Sequence, residues 1–153
     1  MRTRRVTTRA SAGGVLALSL AACGAGAPSA APQRARLDAA LKRYGHDHQT
    51  FTDGLIQGLS RLDYATAHSA TVQMRDATRR FDAVVGSLTP PSAGQPAAQA
   101  LILASRREAD DIAQAAAAPG LRGIVLAVGR WAKDSGPELE LAIRLRQDLG
   151  KAS

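Results

Sequence analysis

The sequence predicts an all-α protein, an up-down antiparallel four-helix bundle, from three observations. Apolar residues recur at alternating spacings of three and four along most of the chain, the period of a helix face. Beyond Cys23 the strict alternation of a half-buried strand is absent, and Pro and Gly pairs fall only where the stripes stop, at Pro90-Pro91, Pro119-Gly120 and Gly136-Pro137. Four stripes joined by short turns pack as antiparallel neighbours.

The first stripe is Leu37, Leu41, Tyr44, His48, Phe51, Leu55 and Leu62, interrupted at Gly58. Gly45, Gly54 and Gly58 each cost up to about 1 kcal/mol relative to alanine, so this helix needs tertiary packing. Gly54 and Gly58, four apart, mark a face where another helix can come close. The pattern restarts at Asp63, a natural N-cap, and runs through Tyr64, Ala67, Thr71, Met74, Thr78, Phe81, Val85 and Leu88 to Thr89-Pro90-Pro91. Proline stops it by removing a donor and excluding the helical conformation of the residue before it. A hairpin turning near Leu62 sets His68 opposite Ile56. Ser92 to Pro96 leads into a third helix with a small-residue face, Ala98, Ile102, Ser105, Ala109, Ile112 and Ala116, ended by Pro119-Gly120. The fourth carries Ile124, Val125, Val128 and Trp131, then Leu139, Ala142, Ile143, Leu145 and Leu149. Between these sets Ser135-Gly136-Pro137-Glu138 either kinks it or starts it again, with Ser135 capping and Glu138 closing a capping box. Helices of about 25 residues would run near 38 Å.

Ahead of the helices, Arg2, Arg4, Arg5 and Arg9 precede an apolar run from Ala10 to Ala22 without one acidic residue. That is the layout of a secretory signal, and the run from Ala12 is about half of the roughly 20 residues of a membrane span. Its end, Leu20-Ala21-Ala22-Cys23-Gly24, resembles the lipobox of bacterial lipoproteins. The resemblance covers the first 24 residues and implies cleavage before Cys23, a diacylglycerol and fatty acyl (palmitate-type) anchor on its sulfur, and residence on the outer face of the cell membrane. Cleavage at a nearby alanine is the alternative. Thr3-Arg4-Arg5 is similar in part to a twin-arginine export signal, with Thr7 and Thr8 where that signal prefers bulky apolar residues. Gly24 to Pro32 has neither charge nor bulk and reads as a flexible tether spanning roughly 17 Å. The division is therefore 1–22 signal peptide, 23–33 lipidated cysteine and tether, and 34–150 helical domain.

Removing the signal takes four arginines and no acid, lowering the formal charge from +7 by four to +3. With aromatic residues at 3% there is little to stack on bases, so nucleic acid is not an expected partner. Lysine occurs only at Lys42, Lys133 and Lys151, and the excess of arginine and alanine is similar to that of GC-rich, actinobacterial coding sequences. Cys23 is the sole cysteine, so no internal disulfide can form.

The chemistry-bearing residues do not assemble into a catalytic motif. His46 and His48, two apart, point about 200° from each other on a helix and cannot chelate one ion. Paired Glu-x-x-His motifs of di-iron bundles and the Cys-x-x-Cys-His of c-type haem are missing. His48 or His68 with Met74 is the one set left for a b-type haem, although histidines satisfied by a neighbour and a core methionine are the commoner uses. Glu108, Asp110 and Asp111 after Arg106-Arg107 read as a solvated face with i,i+4 pairs, as does Asp76 with Arg79-Arg80. No serine sits in a nucleophile elbow. The expectation is a non-enzyme with no cofactor beyond the lipid.

Two roles follow for a lipid-anchored envelope module: binding a protein or peptide, which needs an exposed apolar groove, or carrying a small ligand, haem or metal, which needs an internal gap. For a partner site the candidates are Trp131, Arg122, Arg130 and Lys133, since tryptophan and arginine are enriched at hot spots. The competing use of Trp131, at helical spacing from Val128 and Ile124, is a core plug.

Overall fold

The computed structural model describes residues 29–151; the signal segment, Cys23 and most of the tether lie outside the described residues. The chain is all-α, with α1 (Ala30–Ser60), α2 (Tyr64–Gly86), a single 3-10 turn (Ser92–Gly94), α3 (Gln95–Ala116), α4 (Leu121–Asp134) and α5 (Gly136–Lys151), and no strand among the described residues. No helix among them is long and apolar enough to cross a membrane.

The tether ends earlier than the sequence suggests, because α1 begins at Ala30 and not after Gln33. Ala30 is buried in a cluster with Leu37, Phe81, Val85 and Leu149. The buried Gln33 amide serves the backbone beyond α2: its Nε2 donates to the Thr89 carbonyl at 2.9 Å and its Oε1 accepts from the Thr89 N–H at 2.7 Å. Pro32 is tolerated in the first turn, where its missing N–H would have had no helical partner.

Gly58 does not interrupt α1 but lies buried inside it. A Cβ there would come 2.5 Å from the Ala67 backbone nitrogen, and one at Gly54 would come 3.1 Å from Ala67's neighbour one turn on, Ala70. The close approach suggested by two glycines four apart is thus the seam between α1 and α2. Going up α2, the partners of α1 descend, from Gly58 with Ala67 and Gly54 with Ala70 to Tyr44 with Thr78 and Gln33 with Thr89. Leu62, expected on the core stripe, is instead 80% exposed in the turn, with φ of 54°. It takes the left-handed position of a Schellman ending: the Asp63 N–H donates to the Gly58 carbonyl at 2.7 Å, and the Leu62 N–H to that of Leu59 at 3.1 Å. Asp63 then caps α2 as the sequence suggests, accepting from the Thr66 N–H at 3.2 Å and the Thr66 hydroxyl at 2.7 Å.

The face of α2 agrees with its stripe: Ala67, Thr71, Met74, Thr78, Phe81 and Val85 are all buried. The polar side of the helix differs. Arg80 reaches across to Asp47 of α1 at 3.1 Å, and Asp76 pairs with Arg75, so neither follows the expected pattern within one helix. On α3 the buried face is Ala98, Leu101, Ser105, Glu108, Ile112, Ala115 and Ala116. It is turned relative to the expected stripe: Leu101, Glu108 and Ala115 are buried, whereas Ile102 and Ala109 are half-buried.

The fourth arm is broken into α4 and α5, and the two pieces enter different parts of the core. Trp131 and Ala127 of α4 pack with Phe51, Ala70, Met74 and Ile112, and Ile124 with Ala67 and Ala118. Ala142, Leu145 and Leu149 of α5 pack with Leu37, Phe81, Val85 and Leu101. The expected capping box does not form: the Ser135 N–H donates to the Trp131 carbonyl at 3.0 Å and its hydroxyl to that of Ala132 at 3.4 Å. Ser135 finishes α4 and leaves α5 to begin without it.

Candidate functional site

The break at Ser135 leaves a gap between the two core clusters, since Gly136 and Pro137 present little side chain where a continuous helix would place bulk. The gap is a cavity of about 440 Å³, walled by Leu41, Tyr44, Gly45 and His48 of α1, Phe81 of α2, Glu108 of α3, Ser135, and Gly136, Glu138, Leu139 and Ala142 of α5. Tyr44 bridges the two clusters and stacks on Phe81 at 4.8 Å between ring centroids.

Glu108 is the chemical centre of this wall. It is 1% exposed, and its Oε1 accepts from the Tyr44 hydroxyl at 2.6 Å and from the Trp131 indole N–H at 2.7 Å. Its Oε2 is buried with no hydrogen-bond partner, as is Oε1 of Glu138, which is 4% exposed. Burial pushes the Glu108 carboxyl above its ordinary value, against the two bonds that favour its charged form, with Asp111 adding a like charge. Burial, and then the adjacent Glu108 charge, push the Tyr44 phenol upward as well, so it remains a donor. The site is therefore a buried carboxyl fixed by two aromatic donors, with a second buried carboxyl, Glu138, in the same largely apolar wall.

The sequence placed Glu108 on a solvated face, and the structure corrects this. The signal was present: Leu101, Ser105, Glu108, Ile112 and Ala115 follow the same alternation of four and three as an apolar stripe. A charged residue in that register was read as surface because charges are seldom buried without partners, and the partners lie on other helices.

The remaining candidates are dispersed. Trp131, 4% exposed, makes an edge-to-face contact with Phe51 at 5.3 Å, whereas Arg122, Arg130 and Lys133 are exposed. The structure does not bring these four to one surface. Arg130 instead donates to Gln114 at 2.9 Å. His48 is exposed rather than half-buried and lies over Trp131 at 5.2 Å at the cavity's edge. His68, away from the cavity, meets the Ala116 carbonyl at 2.9 Å and the Tyr64 ring at 5.3 Å, and Met74 is fully buried in the core. Among the described residues no three His, Cys, Asp or Glu side chains gather as metal ligands. Comparison with protein-family models, curated proteins and solved structures gives no match, so no family is assigned.

Proposed function

We propose that the chain is a small-molecule-binding module of the cell envelope, held to the membrane by the lipid on Cys23 and binding its ligand without chemical turnover. In this reading it is an up-down antiparallel bundle whose fourth arm breaks at Ser135 to make room for the ligand. The observation that carries the reading is the cavity: about 440 Å³ falls within the roughly 300–1,000 Å³ of small-molecule sites, and apolar walls with a few placed polar groups are their usual make-up. The alternative role, docking a protein or peptide, has weaker support. Large exposed apolar side chains among the described residues fall at most two to a helix: Ile56 on α1, Tyr64 on α2, Leu103 on α3, Val125 and Leu126 on α4, Leu139 and Ile143 on α5, with Leu62 in the turn after α1.

The test is native mass spectrometry of the full chain purified from membranes, beside the variant Gly45→Phe. Gly45 lines the cavity, and a Cβ there would meet nothing within 4 Å, so the ring enters the space without disturbing a helix contact. We expect a co-purifying small molecule on the wild type that the variant lacks. A bare wild-type protein that also fails to bind any compound of a small-molecule panel overturns the reading. The same spectra report the anchor, because an unmodified Cys23, or a mature chain starting elsewhere, would remove the membrane tether from it.

A further inference from the structure

The proposal of a ligand site leaves its chemistry open, and the cavity wall narrows it. Two of the lining residues are carboxylic acids, Glu108 and Glu138, and among the described residues no lysine or arginine lines the space. Each acid is more than nine-tenths buried and keeps one oxygen without a hydrogen-bond partner. The role of Glu108 in holding Tyr44 and Trp131 accounts for Oε1 alone; nothing in the fold uses Oε2. An orphaned carboxylate oxygen away from water is costly, more so when ionised. Two acids of this kind in the wall of one cavity call for a donor that also carries positive charge. The Tyr44 and Phe81 rings, stacked beside them, favour the same kind of guest, since aromatic faces attract cations. Leu41, Leu139 and Ala142 supply the rest of the wall and would cover an apolar body.

We infer that the cavity takes an organic ammonium ion, a protonated amine on an apolar body, with its N–H groups donating to the free oxygens of Glu108 and Glu138. The inference rests on the ligand-site reading and goes beyond it in naming the charge of the guest. The terminal torsion of a glutamate is broad, so each carboxyl group can turn its free oxygen toward such a donor within its rotamer. A carboxylate or phosphate guest would meet two buried acids, with the exposed His48 the one basic side chain among the described lining residues, and a neutral guest would offer the free oxygens no charged donor.

Calorimetric titration of the purified protein with n-hexylammonium, and with n-hexanol as its uncharged counterpart, tests this directly. The ammonium ion is expected to bind at least tenfold more tightly than the alcohol. Glu108→Gln and Glu138→Gln, which preserve shape, should each shrink that ratio. Gly45→Phe should abolish binding of both. Equal affinities for the two probes, blocked by Gly45→Phe, would overturn the ammonium assignment and leave the ligand site standing. An undiminished preference in both glutamine variants would also overturn it. Binding of neither probe, with no co-purifying compound, would remove the ligand site as well.

Discussion

Gly58 and Gly45 stand on one helix and mark two regions built on opposite terms. At Gly58 the backbones of α1 and α2 meet so closely that a Cβ would lie 2.5 Å from a main-chain nitrogen, whereas at Gly45 a Cβ would meet nothing within 4 Å. The first region ends in the turn through Leu62 and Asp63, where each end of the turn supplies the other's hydrogen bonds. The second lies beside the break at Ser135, where the fourth arm changes course and a cavity remains. The two buried carboxylate oxygens without hydrogen-bond partners belong to residues of the cavity wall, Glu108 and Glu138. Helix is laid down equally in both places; whether it fills space or frames it depends on what the neighbouring arm presents.

The largest expected effect should come from breaking the seam. Gly58→Ala forces a methyl group against the Ala67 backbone, which cannot rotate away as a side chain could, and overpacking of this kind costs about 1–3 kcal/mol, occasionally more. Urea denaturation should show a markedly lower midpoint with an unchanged slope. A variant as stable as wild type would mean that the helices separate easily and that the contrast between the regions is overstated.

Glu108→Ala should follow closely. It leaves the buried Trp131 indole N–H without its acceptor, at a cost of about 1–3 kcal/mol, while the half-buried Tyr44 hydroxyl still has the Thr78 hydroxyl at 3.5 Å. Glu108→Gln retains an acceptor and should cost less.

At Gly45 the same change, glycine to alanine, should have the opposite sign. Gly45→Ala meets no obstacle and should stabilise by about 0.5–1 kcal/mol through helix propensity. Measured side by side, the two glycine variants test the comparison most directly, since only the surroundings differ.

The smallest effects are those of acid, and they separate the regions by sign. Hydrogen bonds from Thr66 hold Asp63 below its ordinary value of 3.8, so its stabilising effect is complete above that value and is lost as the pH falls through the depressed one. Glu108 is held above its ordinary 4.5. The folded state therefore keeps its proton longer than the unfolded state, and stability declines as pH rises from the ordinary value through the raised one. Asp63→Asn should flatten the acid-side loss, and Glu108→Gln should flatten the decline above it. Unfolding midpoints across the acidic range check both, and a wild-type profile that neither variant alters would assign the pH dependence to other groups.

Local chemistry was legible in the chain. The 3-and-4 spacing gave most of the buried face of α2 from Ala67 to Val85, missing Ala70 and Ala77, and Asp63 gave its cap and Gly54 with Gly58 the close seam, although the helix ends at Gly86, short of the expected stop at Pro90. All of these depend on neighbours within about a turn, or on side chains too small to separate two backbones, and sequence spacing records both. Burial of a polar group depends instead on who faces it across space. Only the tertiary structure brought Tyr44 from α1 and Trp131 from α4 onto Glu108, making a charged position on α3 part of the core. Likewise the sequence marked a break at Gly136-Pro137 but not its consequence. The arms on either side of the break enter separate core clusters, and the space left between them is fixed by packing among four helices, which no local pattern encodes.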